Sequence, residues 1–259
     1  MGDRSRSLWL LRYRPREAAK IRLFCFPYAG GSAAVFRDWS ERLDSSIDVW
    51  AIEYPGRGSR RAEKPVARIS QLIDALLPEM RSKLQGPFAF FGHSMGALVA
   101  YELLRRLAVE DGPSAASFIA SGCCPPWRRP SRKPIYGLSD SEFIEELRSL
   151  DGTPKEFLAD QGLMQLLLPM LRADFEAAQT YSCDPGIKLR FPIFVYGGLD
   201  DSDVNREHMA AWNAASKMSH IRMFPGGHFF LHSAADKLMR VLTRDLLSPT
   251  IEVGQRQAK

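Results

Sequence analysis

Long apolar runs are missing from this sequence, and so are the cysteine patterns of metal sites and secreted scaffolds. No stretch reaches the roughly 18 apolar residues that cross a bilayer. The LWLL patch at 8–11 is too short for the core of a signal peptide. Of the four cysteines, Cys123 and Cys124 are adjacent, and the spacing fits neither metal ligands nor a disulfide framework. We therefore expect a cytoplasmic protein with reduced thiols, no metal and no membrane association.

Internal repeats and low-complexity tracts are also missing, so the pattern is not that of a solenoid or a disordered chain. The 259 residues are 45% hydrophobic and 25% charged, as in ordinary soluble globular proteins. This length fits one large domain, or a domain of about 200 residues that carries an insertion.

Positive charge is in modest excess, with a net charge of +5. The basic residues gather in two segments, RGSRR at 57–61 with Lys64 beyond it, and WRRPSRK at 127–133. Both segments are rich in Gly, Pro or Ser, which is typical of solvated loops. The alternative is a docking surface for an acidic protein partner; we do not expect nucleic acid to bind.

Short apolar runs alternate with segments of helical periodicity, which is typical of a parallel sheet covered by helices. The fold class is therefore α/β, with a mostly parallel central sheet flanked by helices and with right-handed crossovers. The predicted strands are 21–26, 47–52, 88–92, 117–121, 192–197 and 220–225. The predicted helices are 33–43, 68–84, 95–109, 205–217 and 233–246.

One gap interrupts this alternation, because no strand is predicted between Gly122 and about residue 190. Ser139 and Glu142 have the spacing of a capping box ahead of a helix, and an apolar-rich segment at 163–181 is interrupted at Pro169. We expect a helical lid at 123–185 over a core made of 1–122 and 186–259.

The motif Gly-His-Ser-Met-Gly at 92–96 follows one of the predicted strands and opens one of the predicted helices. A G-x-S-x-G motif in this context is the nucleophile elbow of an α/β-hydrolase, and it makes Ser94 the candidate nucleophile. The alternative is an ordinary strand-to-helix turn in which Ser94 caps the helix.

A nucleophilic serine needs a histidine base, and in this fold the chain order is serine, acid, histidine. Of the five histidines, His93 precedes any acid, His208 falls in a helix, His220 starts a strand and His232 begins the last helix. His228 lies in FPGGHFF, a glycine-rich loop directly after the last predicted strand. We therefore predict His228 as the base.

The acid is expected in the loop after the preceding strand, where VYGGLDDSDV offers three aspartates. Asp201 is favoured because a G-x-x-D-x-x-V pattern runs from Gly198 to Val204, and Asp200 is the alternative because the same spacing counted from Gly197 selects it. Asp203 is expected to cap the helix that begins near Asn205.

The tetrahedral intermediate needs two backbone donors for its oxyanion. In this fold one is the N–H of the residue after the nucleophile, here Met95. The other comes from the loop after an early strand, and FPYAGGS at 26–32 makes Ala29 the candidate. The alternative for that loop is a plain glycine-rich turn.

Taken together, segments spread over residues 20–245 resemble the type II thioesterases that serve polyketide synthases and nonribosomal peptide synthetases. They are FPYAGGSAAVFRDW, YPGRGSR, FFGHSMGALVAYEL, LSDSEFIEELRSLDGTP, LLPMLRADFEAAQTY, PIFVYGGLDDSDV and FPGGHFFL. The sequence departs from the family at Ser202, where a proline usually follows the triad aspartate. This departure leaves the choice between Asp200 and Asp201 open.

The resemblance implies an editing hydrolase that cleaves stalled acyl or aminoacyl thioesters from the 4′-phosphopantetheine arm of acyl or peptidyl carrier proteins, and also small acyl thioesters. It implies no metal and no cofactor, since the phosphopantetheine belongs to the substrate. Carrier proteins are generally acidic, so the two basic segments are candidates for steering them. We expect a monomer. The competing interpretations are an acyl-CoA thioesterase or carboxylesterase of the same fold, and a non-catalytic binding module.

Overall fold

The computed structural model describes residues 7–128, 133–150 and 160–248. Its strands are β1 (Leu10–Leu11), β2 (Ile21–Phe26), β3 (Ile47–Ile52), β4 (Phe88–His93), β5 (Ser117–Ser121), β6 (Ile193–Gly198) and β7 (Ser219–Phe224). They form one seven-stranded sheet in the order β1-β3-β2-β4-β5-β6-β7. All neighbours pair in parallel except β1, which is antiparallel to β3. The predicted α/β class is confirmed.

Helices connect and cover these strands. They are α1 (Trp39–Arg42), α2 (Ile69–Arg81), α3 (Met95–Val109), α4 (Asp140–Ser149), α5 (Gln161–Thr180), α6 (Arg206–Ala210), α7 (Phe230–Ser233) and α8 (Ala235–Leu246). Within the described ranges, no helix combines the length and the apolar character needed to span a bilayer.

Each predicted strand lies within one residue of an observed one, but two predicted helices are wrong in form. The segment 33–43 is a 3₁₀ turn at Ala33–Phe36 followed by α1, and 205–217 is α6 followed by a second 3₁₀ turn, Ala211–Ala214. Ala33, Phe36 and Trp39 are all buried, and this three-residue spacing suits a 3₁₀ helix better than an α-helix. Strand β1 was not predicted, because two residues carry no periodicity.

The sheet is buried on both faces, as its continuous apolar strands require. In β4 the side chains of Phe88 and Phe90 join the apolar cluster beneath α2 and α3, whereas Ala89 and Phe91 join the cluster on the opposite face beneath α1 and α8. Successive side chains of a strand point to opposite faces, so each phenylalanine is assigned to its layer by position alone.

The strand order places a topological switch point in the middle of the sheet. The chain leaves β2 toward β3 on one side and returns to β4 on the other, so that Phe26 pairs with Gly92. At such a point the loops after the two strands diverge and leave a crevice at their carboxyl ends. The loop 27–32 and the turn at Ser94 therefore lie side by side.

The stretch between β5 and β6 carries α4 and α5 and packs around an apolar cluster of its own. The predicted capping box is present: Glu142 N–H donates to Ser139 Oγ, and the Glu142 carboxylate accepts from Ser139 N–H. The buried members of this cluster are Ile135, Phe143, Leu147, Met164, Leu168, Met170 and Leu171. An insertion that buries its own apolar residues holds its shape outside the main core.

The predicted interruption at Pro169 is wrong, because α5 runs through the proline without a break. A proline inside a helix loses one backbone hydrogen bond and costs roughly 3 kcal/mol. The turns on both sides are nevertheless held by buried side chains, with Met164 and Leu168 before the proline and Leu171 and Asp174 after it. Tertiary packing outweighs the local preference here.

Candidate active site

Ser94 sits on a strained turn between β4 and α3. Its backbone has φ 52° and ψ −118°, a conformation that non-glycine residues rarely adopt. Its N–H donates to Ser121 O at 2.8 Å, which fixes the turn to β5. The side chain makes no capping hydrogen bond to the helix, so the alternative interpretation of Ser94 as a capping serine is wrong. The hydroxyl is left available at the carboxyl end of the sheet.

Two glycines make this turn sterically feasible. A Cβ on Gly96 would lie 2.1 Å from Phe26 O, and one on Gly92 would lie 2.4 Å from Gly96 O. Since glycine has no side chain at either position, α3 can approach the end of β2 and the loop that follows it closely.

His228 lies in the loop after β7 and contacts one of the candidate acids directly. Its Nδ1 is 2.8 Å from Oδ2 of Asp201. The other oxygen of Asp201 accepts from the N–H groups of Asp203 and Val204, at 2.9 and 3.1 Å. Asp200 is exposed and its N–H bonds to Gly226 O. The geometry therefore selects Asp201 over Asp200 as the partner of His228.

Asp201 is kept ionised by these contacts. Burial by itself raises the pKa of its carboxyl, but the hydrogen bond and charge of His228, with the two backbone N–H groups, together hold that pKa below its ordinary value of 3.8. An ionised carboxylate on Nδ1 fixes the tautomer of His228 and leaves Nε2 as the acceptor.

The other histidines take different positions, as the sequence predicts for two of them. His208 lies in α6 and His220 in β7. His232 lies in α7 rather than at the start of the last helix, and its Nε2 is 3.0 Å from the hydroxyl of Tyr28.

The prediction that Asp203 caps the helix that follows it, α6, is wrong. The side chain of Asn205 caps this helix instead, since its Oδ1 accepts from the N–H of residue 208 at 2.9 Å.

His93 is fully buried beneath the site, a placement the sequence did not signal. Its Nδ1 is 2.9 Å from Ser121 Oγ, and its ring centre is 5.2 Å from that of His228. Burial lowers the pKa of His93 well below its ordinary value, and the charges of His228 and His232 lower it further. His93 is thus a buried, neutral ring that packs beside His228.

Ser94 and His228 line one cavity of about 790 Å³, and so do Met95 and Ala29. Met95 is the first residue of α3, where backbone N–H groups have no partner within the helix and the helix dipole is positive. The structure thus brings all the predicted site residues except Asp200 to this cavity or, for Asp201, to its histidine.

The far walls of the cavity come from the insertion. Most of them are apolar, and the polar groups include Lys133, Glu142 and Glu146. The apolar lining from this region includes Ile135, Leu138, Leu147, Leu150, Leu171 and Phe175. A cavity of this size beside the candidate nucleophile, with apolar walls from the insertion, suits an acyl chain. The described residues contain no group of three or more His, Cys, Asp or Glu placed to hold a metal ion.

Comparison with known proteins agrees with this geometry. The model of the thioesterase domain family matches residues 21–246. The chain belongs to the thioesterase domain family. It is 36% identical over 247 residues to the gramicidin S biosynthesis protein GrsT of Aneurinibacillus migulanus, covering 94% of this chain and 96% of that one. It is 36% identical over 242 residues to the thioesterase PikA5 of Streptomyces venezuelae, covering 93% and 86%.

A solved structure gives the same result for the fold. The type II thioesterase BorB from the borrelidin biosynthetic cluster superposes with a TM-score of 0.82 at 35% identity, covering 93% of this thioesterase and 97% of BorB. The predicted α/β-hydrolase fold and the predicted thioester hydrolase activity are confirmed.

Proposed function

We propose that this thioesterase is an editing enzyme that releases stalled acyl and aminoacyl groups from the 4′-phosphopantetheine arm of acyl or peptidyl carrier proteins in polyketide or nonribosomal peptide assembly. The observation that carries the proposal is the cavity shared by Ser94 and His228, walled by a helical insertion, in a chain similar to BorB over nearly its whole length. The described parts of the segment 123–185, which are residues 123–128, 133–150 and 160–185, act as the lid of that cavity.

The proposed reaction has two half-reactions. His228 accepts the proton of Ser94 as its Oγ attacks the thioester carbonyl, and the N–H groups of Met95 and Ala29 bind the oxyanion. The C–S bond then breaks, and His228 returns the proton to the pantetheine thiol. Water activated by His228 next attacks the acyl-Ser94 ester, so that the free acid leaves and the serine is regenerated. Asp201 stays ionised throughout, and no metal or cofactor takes part.

Fewer cations of the two basic segments are available to bind an acidic carrier protein than the sequence predicts. In the segment 57–61, Arg57 pairs with Asp174 and Arg60 pairs with Glu63, and both arginines are buried. The expectation that this segment is a solvated loop is therefore wrong for these two arginines, and neither of them is exposed for the docking surface given as the alternative. The exposed cations of the two segments in the described chain are Arg61, Lys64, Arg128 and Lys133. Of these, Lys133 lines the cavity.

The proposal is tested by intact-mass spectrometry of acyl-loaded carrier proteins before and after incubation with the enzyme. Loss of the acyl mass with wild-type protein and its retention with S94A is the expected result. Faster turnover of acyl-CoA or p-nitrophenyl esters than of acyl carriers would instead indicate a general thioesterase or esterase. Binding of carriers without turnover would indicate a non-catalytic module. We also propose that the enzyme acts as a monomer without nucleic acid, which sedimentation analysis tests.

A further inference from the structure

A buried ion pair links the insertion to the core at a place where the proposed chemistry does not use it. Arg57 follows β3 and Asp174 lies in α5, and their side chains are 4% and 1% exposed. The two guanidinium nitrogens lie 2.6 and 2.7 Å from the two carboxylate oxygens. A buried pair of this kind adds little stability over apolar residues of the same volume. Its arrangement therefore calls for another explanation.

The explanation lies in what else the pair holds. Oδ2 of Asp174 also accepts from the N–H of Gly30 at 2.7 Å, and Nη1 of Arg57 donates to Gly31 O at 3.3 Å. Gly30 has φ +79°, and a Cβ on it would lie 2.7 Å from a methyl carbon of Leu171 in α5. The pair thus forms hydrogen bonds with two successive residues of loop 27–32, Gly30 and Gly31, which directly follow Ala29.

The Ala29 N–H belongs to the same peptide unit as Tyr28 O, which is itself held within this loop. The N–H of Gly31 closes the turn onto Tyr28 O at 2.9 Å, and that of Gly30 is taken by Asp174. Among the described contacts the N–H of Ala29 has no acceptor in the protein, and Ala29 lines the cavity. The N–H of Ala29 is therefore available to a ligand in the cavity, as its assignment to the oxyanion requires.

We propose that Arg57 and Asp174 are positioning residues that aim the Ala29 N–H at the oxyanion, and that they do so only while α5 is seated over the cavity. This inference rests on the proposed acyl-enzyme mechanism. Leu171, Phe175 and Ala178 of the same helix line the acyl cavity. The element that contacts the acyl chain is thus the element that completes the oxyanion hole, and the two functions are coupled through one carboxylate.

The test uses double variants that avoid leaving a buried charge alone, because removing one partner of such a pair leaves an uncompensated buried charge and strongly destabilises the fold. R57M/D174L removes both charges and the acceptor for Gly30. R57M/D174N removes the charges but keeps an acceptor. R68M/E176L is the matched control, since Arg68 and Glu176 also join the core to α5, at 2.5 Å, without contacting loop 27–32.

For R57M/D174L we expect kcat to fall about 10- to 100-fold, less than the roughly 10²–10³-fold loss from deleting an oxyanion donor outright. KM for a small acyl thioester should change little. Affinity for an alkyl boronic acid, which forms a tetrahedral adduct on the serine, should fall in parallel with kcat. R57M/D174N should recover most of both losses, and R68M/E176L should retain wild-type values for both.

Two outcomes would overturn the proposal: a folded R57M/D174L with wild-type kcat and inhibitor affinity, or a loss confined to KM. If that variant does not fold, hydrogen exchange of the wild-type protein decides. We expect the amide of Gly30 to exchange together with the amides around Asp174, and exchange of the loop independent of α5 would contradict coupling. The S94A variant separates this inference from the mechanism, since activity in S94A would refute the mechanism itself.

Discussion

The Nδ1 atom of His228 lies 2.8 Å from Oδ2 of Asp201, whereas the neighbouring Asp200 is exposed. The N–H of Asp200 is bound to Gly226 O and its side chain is exposed, so the next residue along the chain supplies the carboxylate that contacts His228. A Cβ on Gly198 would lie 2.3 Å from Gly227 O, so the acid loop and the histidine loop are in backbone contact. That close approach brings the residue at 201 to the imidazole.

Replacing Asp201 should therefore disable the enzyme, while the same change at Asp200 should not. D201N favours the wrong tautomer of His228 and should lower kcat by about 10⁴-fold, by analogy with the same change in serine proteases. D200N is the matched control and should stay within about twofold of wild type, as expected for an exposed side chain. Steady-state hydrolysis of a small acyl thioester measures both, and the reverse ranking would assign the acid to Asp200.

Asp201 should also make stability depend on pH. Its folded pKa lies below its ordinary value of 3.8, so the unfolded chain takes up the proton first as the pH falls. The stabilisation is therefore complete above that ordinary value and is lost as the pH drops through the folded pKa. Chemical denaturation of wild type and D201N should show a stability gap near neutral pH that narrows below about pH 4. A gap independent of pH would refute the assignment.

The hydroxyl of Ser121 should stabilise the fold through His93. Ser121 and Ser117 are both fully buried in β5, but only Ser121 bonds a described partner, since its Oγ is 2.9 Å from His93 Nδ1. S121A leaves that nitrogen unpaired and should lower the free energy of unfolding by about 1–3 kcal/mol. S117A removes an unsatisfied hydroxyl and should be neutral or stabilising. Equal losses in urea denaturation would show that volume, not hydrogen bonding, sets the effect.

Electrostatic steering of the carrier should appear as a salt effect on one substrate only. Raising the salt toward about 1 M shortens the screening length to about 3 Å and should lower kcat/KM for an acyl carrier protein. A small uncharged acyl thioester should show no comparable decrease. R61A/K64A and R128A/K133A should each weaken the salt dependence with the carrier. Identical salt profiles for both substrates would show that the basic segments do not take part in docking the carrier.

Much of the site can be predicted from the sequence because the motifs that mark its residues span only a few neighbouring positions. The elbow at 92–96 needs glycines within two residues of Ser94, and the glycine-rich loop of His228 follows a strand directly. Strands buried on both faces are continuous apolar runs, so their positions were also predicted well. Short 3₁₀ turns, strand β1 and the continuity of α5 through Pro169 were not, since tertiary packing decides them.

By itself, the sequence determined the α/β fold, the nucleophile and base candidates, their order and the family. Only the tertiary structure decided between Asp200 and Asp201, buried two arginines of a segment expected at the surface, and joined Arg57 to Asp174. The reason is that these outcomes depend on contacts between distant parts of the chain. Arg57 and Asp174 are 117 residues apart, and no periodicity or spacing rule relates positions that far from each other.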